Sequence, residues 1–152
     1  MGHLKHSVRI NAPVDRVVKY SEDPNNWHTF MVGMSKPDKI TGDIGAVGMQ
    51  VEFNTSMAGV HMQETCRTTE DRHDPDGGGH WRGEIAGTMS GWMTMDFKPE
   101  NGGALVTQEM EYTAPGGALG KMADRLVFEK MQDRDMLQSL ETLKLLMEGS
   151  SA

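Results

Sequence analysis

The sequence predicts an α+β fold, in which an antiparallel sheet of about seven strands is closed on one face by a long C-terminal helix. Three observations carry this. From about residue 35 to residue 113, apolar and polar residues alternate with a period of two, the pattern of half-buried strands. The 18 glycines gather between these runs, where turns need them. From Leu119 to Met147 the apolar spacing becomes helical.

Each element follows in order. "HLKHSVRI" sets Leu4, His6, Val8 and Ile10 on one side and reads as a first strand. In "NAPVDRVVKYSED", Pro13 suits a first helical turn and Val14, Val17 and Val18 make a short apolar face. Asp23-Pro24 ends that helix. "NNWHTFM" reads as a second short helix carrying Trp27, Phe30 and Met31. "SKPDKITG" is strand-like, and so is "GMQVEFNTSM", where Met49, Val51, Phe53, Thr55 and Met57 share one face. A tight turn at Ala58-Gly59 leads into a strand from about Val60 to Arg72, and "DPDGGG" is the strongest turn signal in the chain. "HWRGEIAGTM", "GWMTMDFKP" and "ALVTQEMEYT" complete the strands, the last two joined by "ENGG". Six strands joined by short turns form an antiparallel meander.

The final helix spans about 29 residues, or roughly 43 Å at the α-helical rise. Its predicted apolar stripe is Leu119, Met122, Leu126, Met136, Leu137, Leu140, Leu143 and Met147. Asp133 interrupts that stripe, with Lys130 three residues away. Either the helix lifts off the sheet there, or Asp133 sits at a wet cavity mouth, or the two charges form a solvated pair. The domain is expected over residues 1–148, with 149–152 a frayed tail.

Composition excludes several functions. The net charge of −7 with scattered Lys and Arg argues against nucleic acid. No apolar run approaches the ~20 residues of a membrane span, and the N-terminus lacks the apolar stretch of a signal peptide, so a cytoplasmic location is expected. A single cysteine, Cys66, allows no internal disulfide and reads as a buried inert thiol. His73 and His80 flank the Gly-rich turn with Asp71, Asp74 and Asp76 nearby, but this cluster reads as solvated charge and no metal is expected. "DPDGGGH" lacks the later acids of a calcium loop, and "GGALGKM" lacks the spacing of a phosphate loop.

Four stretches, "INAPVDRVVKYSEDPNNW", "MDFKPENGGALVTQEMEY", "GGALGKMADRL" and "LETLKLLME", together with the order of elements, carry a resemblance over nearly the whole chain. The sequence resembles the START-related SRPBCC superfamily in its polyketide cyclase/dehydrase-like branch. The resemblance implies a helix-grip fold, with a curved sheet around the C-terminal helix and a deep cavity between them for lipids, quinones or polyketides. In that frame the alternation places Met49, Val51, Phe53, Met57, Met62, Glu64, Trp81, Ile85, Met93, Met95, Gln108, Met110 and Tyr112 on the inner wall, with Met122, Leu126 and Asp133 from the helix.

This wall is mostly apolar with a few polar groups, the composition of a ligand pocket. The 14 methionines either line it or fill it. Glu64, between Met62 and Cys66, is the best candidate for a general acid or base, because an apolar cavity disfavours its charged form. The expected function is binding of an apolar small molecule without a cofactor, by a monomer or weak homodimer. The first rival is a cyclase/aromatase, for which no convincing set of several catalytic groups assembles. The second is a protein-interaction module using Val127, Phe128 and Met131.

Overall fold

The computed structural model describes residues 2–57, 59–113 and 125–149. The elements run β1 (Gly2–Ile10), α1 (Val14–Glu22), a 3-10 turn (Pro24–Asn26), α2 (Trp27–Phe30), β2 (Lys39–Thr41), β3 (Gln50–Met57), β4 (Val60–His73), β5 (Gly79–Gly87), β6 (Ser90–Glu100), β7 (Gly103–Thr113) and α3 (Arg125–Gly149). The strands form one antiparallel sheet in the order β1-β7-β6-β5-β4-β3-β2. The meander from β2 to β7 therefore pairs each strand with its sequence neighbour, and β1 closes the far edge on β7. The α+β helix-grip architecture is the one the alternation and the resemblance predict.

The period of two decides which side chains face α3. Trp81, Met95 and Gln108 align in one cross-strand row, and Gly83, Met93, Met110 and Leu4 in another. On β3 and β4 the buried residues include Val51, Phe53, Met57, Met62, Glu64 and Cys66. The β4–β5 pairing slips between Thr68 and Glu70, where a bulge re-aims the end of β4.

Pro13 flanks the start of α1 as its N-cap residue, and the helix buries Val14, Val17 and Val18. Asp23 then caps the 3-10 turn by accepting the Asn25 N–H at 3.0 Å. α3 packs along β1 and α2. Its C-terminal end is tied to the start of the chain: the Arg16 guanidinium donates to the Met147 carbonyl, and the Asn11 N–H donates to Glu148 at 2.8 Å. The first of these satisfies a helix-end carbonyl that has no intrahelical donor.

The core falls into two clusters. One joins α1 and α2 to the sheet and to Leu140, Leu143 and Met147 of α3. The other contains Leu4, Met57, Met62, Met89, Met110, Tyr112, Phe128 and Met136. Met93 packs against both.

The rotation of α3 about its axis differs from the expected stripe. Phe128, Gln132, Met136, Ser139, Leu140, Leu143 and Met147 are buried, whereas Leu126 is 56% exposed and Leu137 is also exposed. Asp133 is not in the buried stripe; its side chain is 53% exposed and accepts a hydrogen bond from His6 Nε2 at 2.7 Å, so its partner comes from β1 rather than from Lys130. The physical reason is that three polar residues, Gln132, Asp135 and Ser139, occupy the inner face, so apolar spacing alone misplaces it. Met122, Leu119 at the expected start of the helix, residues 115–118, Ala58 of the expected tight turn and most of the expected tail lie outside the described residues. Among the described residues, no helix is long and apolar enough to cross a membrane.

Candidate functional site

Two adjoining cavities lie between the sheet and the helices. The larger, about 90 Å³, is bounded by α3, β3–β7 and the segment after α2. Its apolar wall includes Leu4, Met57, Met62, Met89, Met110 and Met136. Its polar groups include Thr55, Glu64, Gln108, Gln132, Asp135 and Ser139. The smaller, about 50 Å³, lies under α1 and α2 and is lined by Trp27, Phe30, Trp81, Met95 and Phe97 among others. Met31, Met34, Phe53, Ile85 and Met93 line both and form the partition between them.

Glu64 is the central polar group of the larger cavity. It is 3% exposed, and its two carboxylate oxygens accept the Met89 N–H at 3.2 and 3.3 Å. Burial pushes its carboxyl up to about 7, against the smaller opposing effect of that hydrogen bond. The neighbouring backbone makes room for it. Gly87, at φ +134°, lies so close that an added Cβ would meet the Gln63 carbonyl oxygen at 2.2 Å and Glu64 Oε2 at 2.8 Å. Only glycine fits such a position.

Gln108 sits across the cavity. Its Nε2 donates to Met93 Sδ at 3.0 Å, a weak acceptor, and its buried Oε1 has no partner among the described residues. Thr55 Oγ1 is likewise buried without a partner among them. From α3, Gln132 Nε2 donates to Met89 Sδ at 3.5 Å. Burial raises the Asp135 carboxyl above its usual range, with Arg134 opposing. Ser139 Oγ donates to the Asp135 carbonyl at 2.7 Å and accepts the Val32 N–H at 3.0 Å, which fixes α3 against the chain after α2.

In the smaller cavity Trp27 meets Trp81 edge-on at 5.8 Å, and Trp81 Nε1 donates to Thr68 Oγ1 at 3.0 Å. Cys66 lines it as a thiol pushed up to about 12, first by burial and then by Glu84. Such a thiol carries almost no thiolate at neutral pH. At the mouth stand Glu22, Asp71, Arg72, His73 and His80.

The inner-wall residues inferred from the alternation divide between these spaces. Met57, Met62, Glu64, Gln108 and Met110 line the larger cavity, Trp81 and Met95 the smaller, and Phe53, Ile85 and Met93 both. Met49 and Val51 are buried in the core beneath, outside both linings, and so is Tyr112, which packs on Phe128 with ring centroids 5.7 Å apart. Leu126 and Asp133 face away, as described above. Phe128, the centre of the apolar surface patch considered for a partner, is buried and cannot form such a patch. Sequence reasoning missed Gln132, Asp135 and Ser139. Their spacing of three and four residues is itself a helical stripe, and that was the available signal.

A curved antiparallel sheet closed by a long C-terminal helix defines the helix-grip class of folds. The family profile described as polyketide cyclase / dehydrase and lipid transport matches residues 1–148, and the chain belongs to that family. No curated protein matches it. Solved structures share the fold. A protein of Thermus thermophilus superposes with a TM-score of 0.78 at 16% identity, covering 99% of each chain. The Zhui aromatase/cyclase of a Streptomyces species gives 0.70 at 19% identity, covering 96% of this chain and 93% of that one. Ginseng major latex-like protein 151 from Panax ginseng gives 0.67 at 15%, covering 96% and 97%.

Proposed function

We propose that the protein binds a mainly apolar small molecule carrying one polar group, lipid-, quinone- or polyketide-like, in the cavity between the sheet and α3. The observation that carries this reading is the pairing of Glu64 with Gln108. One is a deeply buried carboxylate held by a single backbone N–H, and the other has a carbonyl oxygen with no partner among the described residues, both in a wall of methionines. Buried polar groups are normally satisfied, so these two acceptors are set to receive a ligand hydroxyl. Methionine side chains bend around the apolar remainder. Family membership supports the same reading, since the family description includes lipid transport.

A second reading rests on Glu64 alone. A carboxyl held near 7 by burial titrates where a general acid or base is most effective, and a helix-grip neighbour is an aromatase/cyclase. In that case Glu64 moves a proton at a ligand carbon or oxygen, and Gln108 holds the carbonyl that polarises.

Native mass spectrometry of the purified protein, followed by extraction, tests the binding reading. A discrete apolar mass is expected, and Gln108→Leu should weaken its retention about tenfold by removing the polar anchor. A clean apo mass, with no thermal shift from lipids, quinones or aromatic polyketides, would overturn it. Glu64→Gln separates the two readings: abolished turnover of a bound polyketide analogue with affinity retained favours the enzyme.

A further inference from the structure

The mouth of the smaller cavity brings together three groups that are distant in sequence. Glu22 is the last residue of α1, while Asp71 and His73 stand two apart on β4, on one face of the strand just after its bulge. A carboxylate oxygen from each acid and Nε2 of His73 all lie within 4.8 Å of one another. His73 Nε2 donates to Glu22 Oε2 at 2.7 Å and stands 3.5 Å from Asp71 Oδ1. A divalent ion about 2.1 Å from each ligand at tetrahedral or octahedral angles separates them by roughly 3.0–3.5 Å, so small side-chain shifts suffice.

A second observation points to a missing cation. The Asp71 side chain is only 6% exposed, faces the cavity mouth and accepts no hydrogen bond among the described residues. Its close counter-charge is His73 at 3.5 Å, itself a member of the cluster and already bonded to Glu22, so a carboxylate buried this far is compensated only from within the cluster. The neighbouring basic groups are engaged elsewhere: Arg72 Nε donates to Asp74 at 2.8 Å, and His80 Nδ1 bonds Asp96 at 2.7 Å.

We propose that Glu22, Asp71 and His73 form a binding site for a first-row divalent metal cation at the mouth of the smaller cavity. One imidazole with two carboxylates suits Mn²⁺, Fe²⁺ or Zn²⁺. It does not suit Ca²⁺, which takes six to eight oxygens. Three protein ligands leave coordination positions open toward the cavity, where an oxygen of a bound molecule can take one.

Calorimetric titration of the chelator-stripped protein with Mn²⁺ and with Zn²⁺ tests this. One equivalent should bind saturably, and Asp71→Asn and His73→Gln should each weaken it at least tenfold. His61→Ala, on the far part of β4 and outside both cavity linings, should leave it unchanged. Thermal melting checks folding of each variant, and if one fails to fold the other carries the comparison. Absence of saturable binding up to about 1 mM, or wild-type binding by Asp71→Asn or His73→Gln, would overturn the site; in the latter case the ion sits on other histidines such as His3 or His6.

Discussion

At the scale of single residues, Glu64 ties stability to pH in an unusual direction. Most carboxylates in folded proteins are held below their ordinary value, so acid removes their stabilisation. Glu64 is held above it, at about 7 against 4.5 for the free group, chiefly by burial. Between these values the folded state binds the proton that the unfolded chain has released. Its contribution is therefore complete below about 4.5 and is lost as pH rises toward 7. The loss is on the order of 2–3 kcal/mol. Glu64→Gln removes the titration while keeping the shape. Urea unfolding of both proteins at about pH 4.5, 6 and 8, which brackets the two values, should show Glu64→Gln gaining on the wild type as pH rises. A difference that stays constant with pH would show that Glu64 is not held neutral by its surroundings.

At the scale of elements, the strands were legible in the sequence and the rotation of the last helix was not. Strand faces follow from a strict period of two, and Met62, Glu64 and Cys66 on β4 or Val106, Gln108 and Met110 on β7 fall on the buried side as that period requires. The inward placement of Glu64 and Gln108 therefore follows from the sequence pattern itself. α3 has apolar residues nearly all round, and its inner face carries polar groups because it meets a cavity rather than dry core. Apolar spacing then points to Leu126 and Leu137, which are exposed, and hides Gln132 and Asp135. The cluster of Glu22 with Asp71 and His73 was only half visible, since α1 and β4 meet through the fold and not through any local pattern. Alanine substitutions discriminate the two rotations of α3. Leu140→Ala, in the fully buried stripe, should cost about 2–5 kcal/mol in denaturant unfolding. Leu126→Ala and Leu137→Ala should each cost about 0.5 kcal/mol or less. Comparable losses at Leu137 and Leu140 would mean the helix is turned toward the stripe that apolar spacing suggests.

At the scale of the whole molecule, the methionine partition decides what can be bound. The two chambers measure about 90 and about 50 Å³. An apolar cavity of ~150 Å³ is what benzene occupies, so neither chamber alone accepts a molecule the size of a lipid chain or polyketide. Yet Met31, Met34 and Met93 stand between them, and Met93 packs against both halves of the core. Unbranched thioether side chains change rotamer at small cost, so the proposed binding of a long ligand would open the partition by turning these methionines aside. On the proposed binding reading, the two separate chambers of the empty protein would become one continuous cavity when a long ligand is bound. Affinity across a series of primary alcohols of increasing length reads this directly. Each added methylene should tighten binding by up to about 0.8 kcal/mol until the larger chamber is full, then by less while the partition resists. Met93→Ala, and separately Met31→Ala, should move that break to longer chains. A break at the same length in the wild type and both variants would mean that the chambers do not join, and that the ligand is limited to the space beside Glu64.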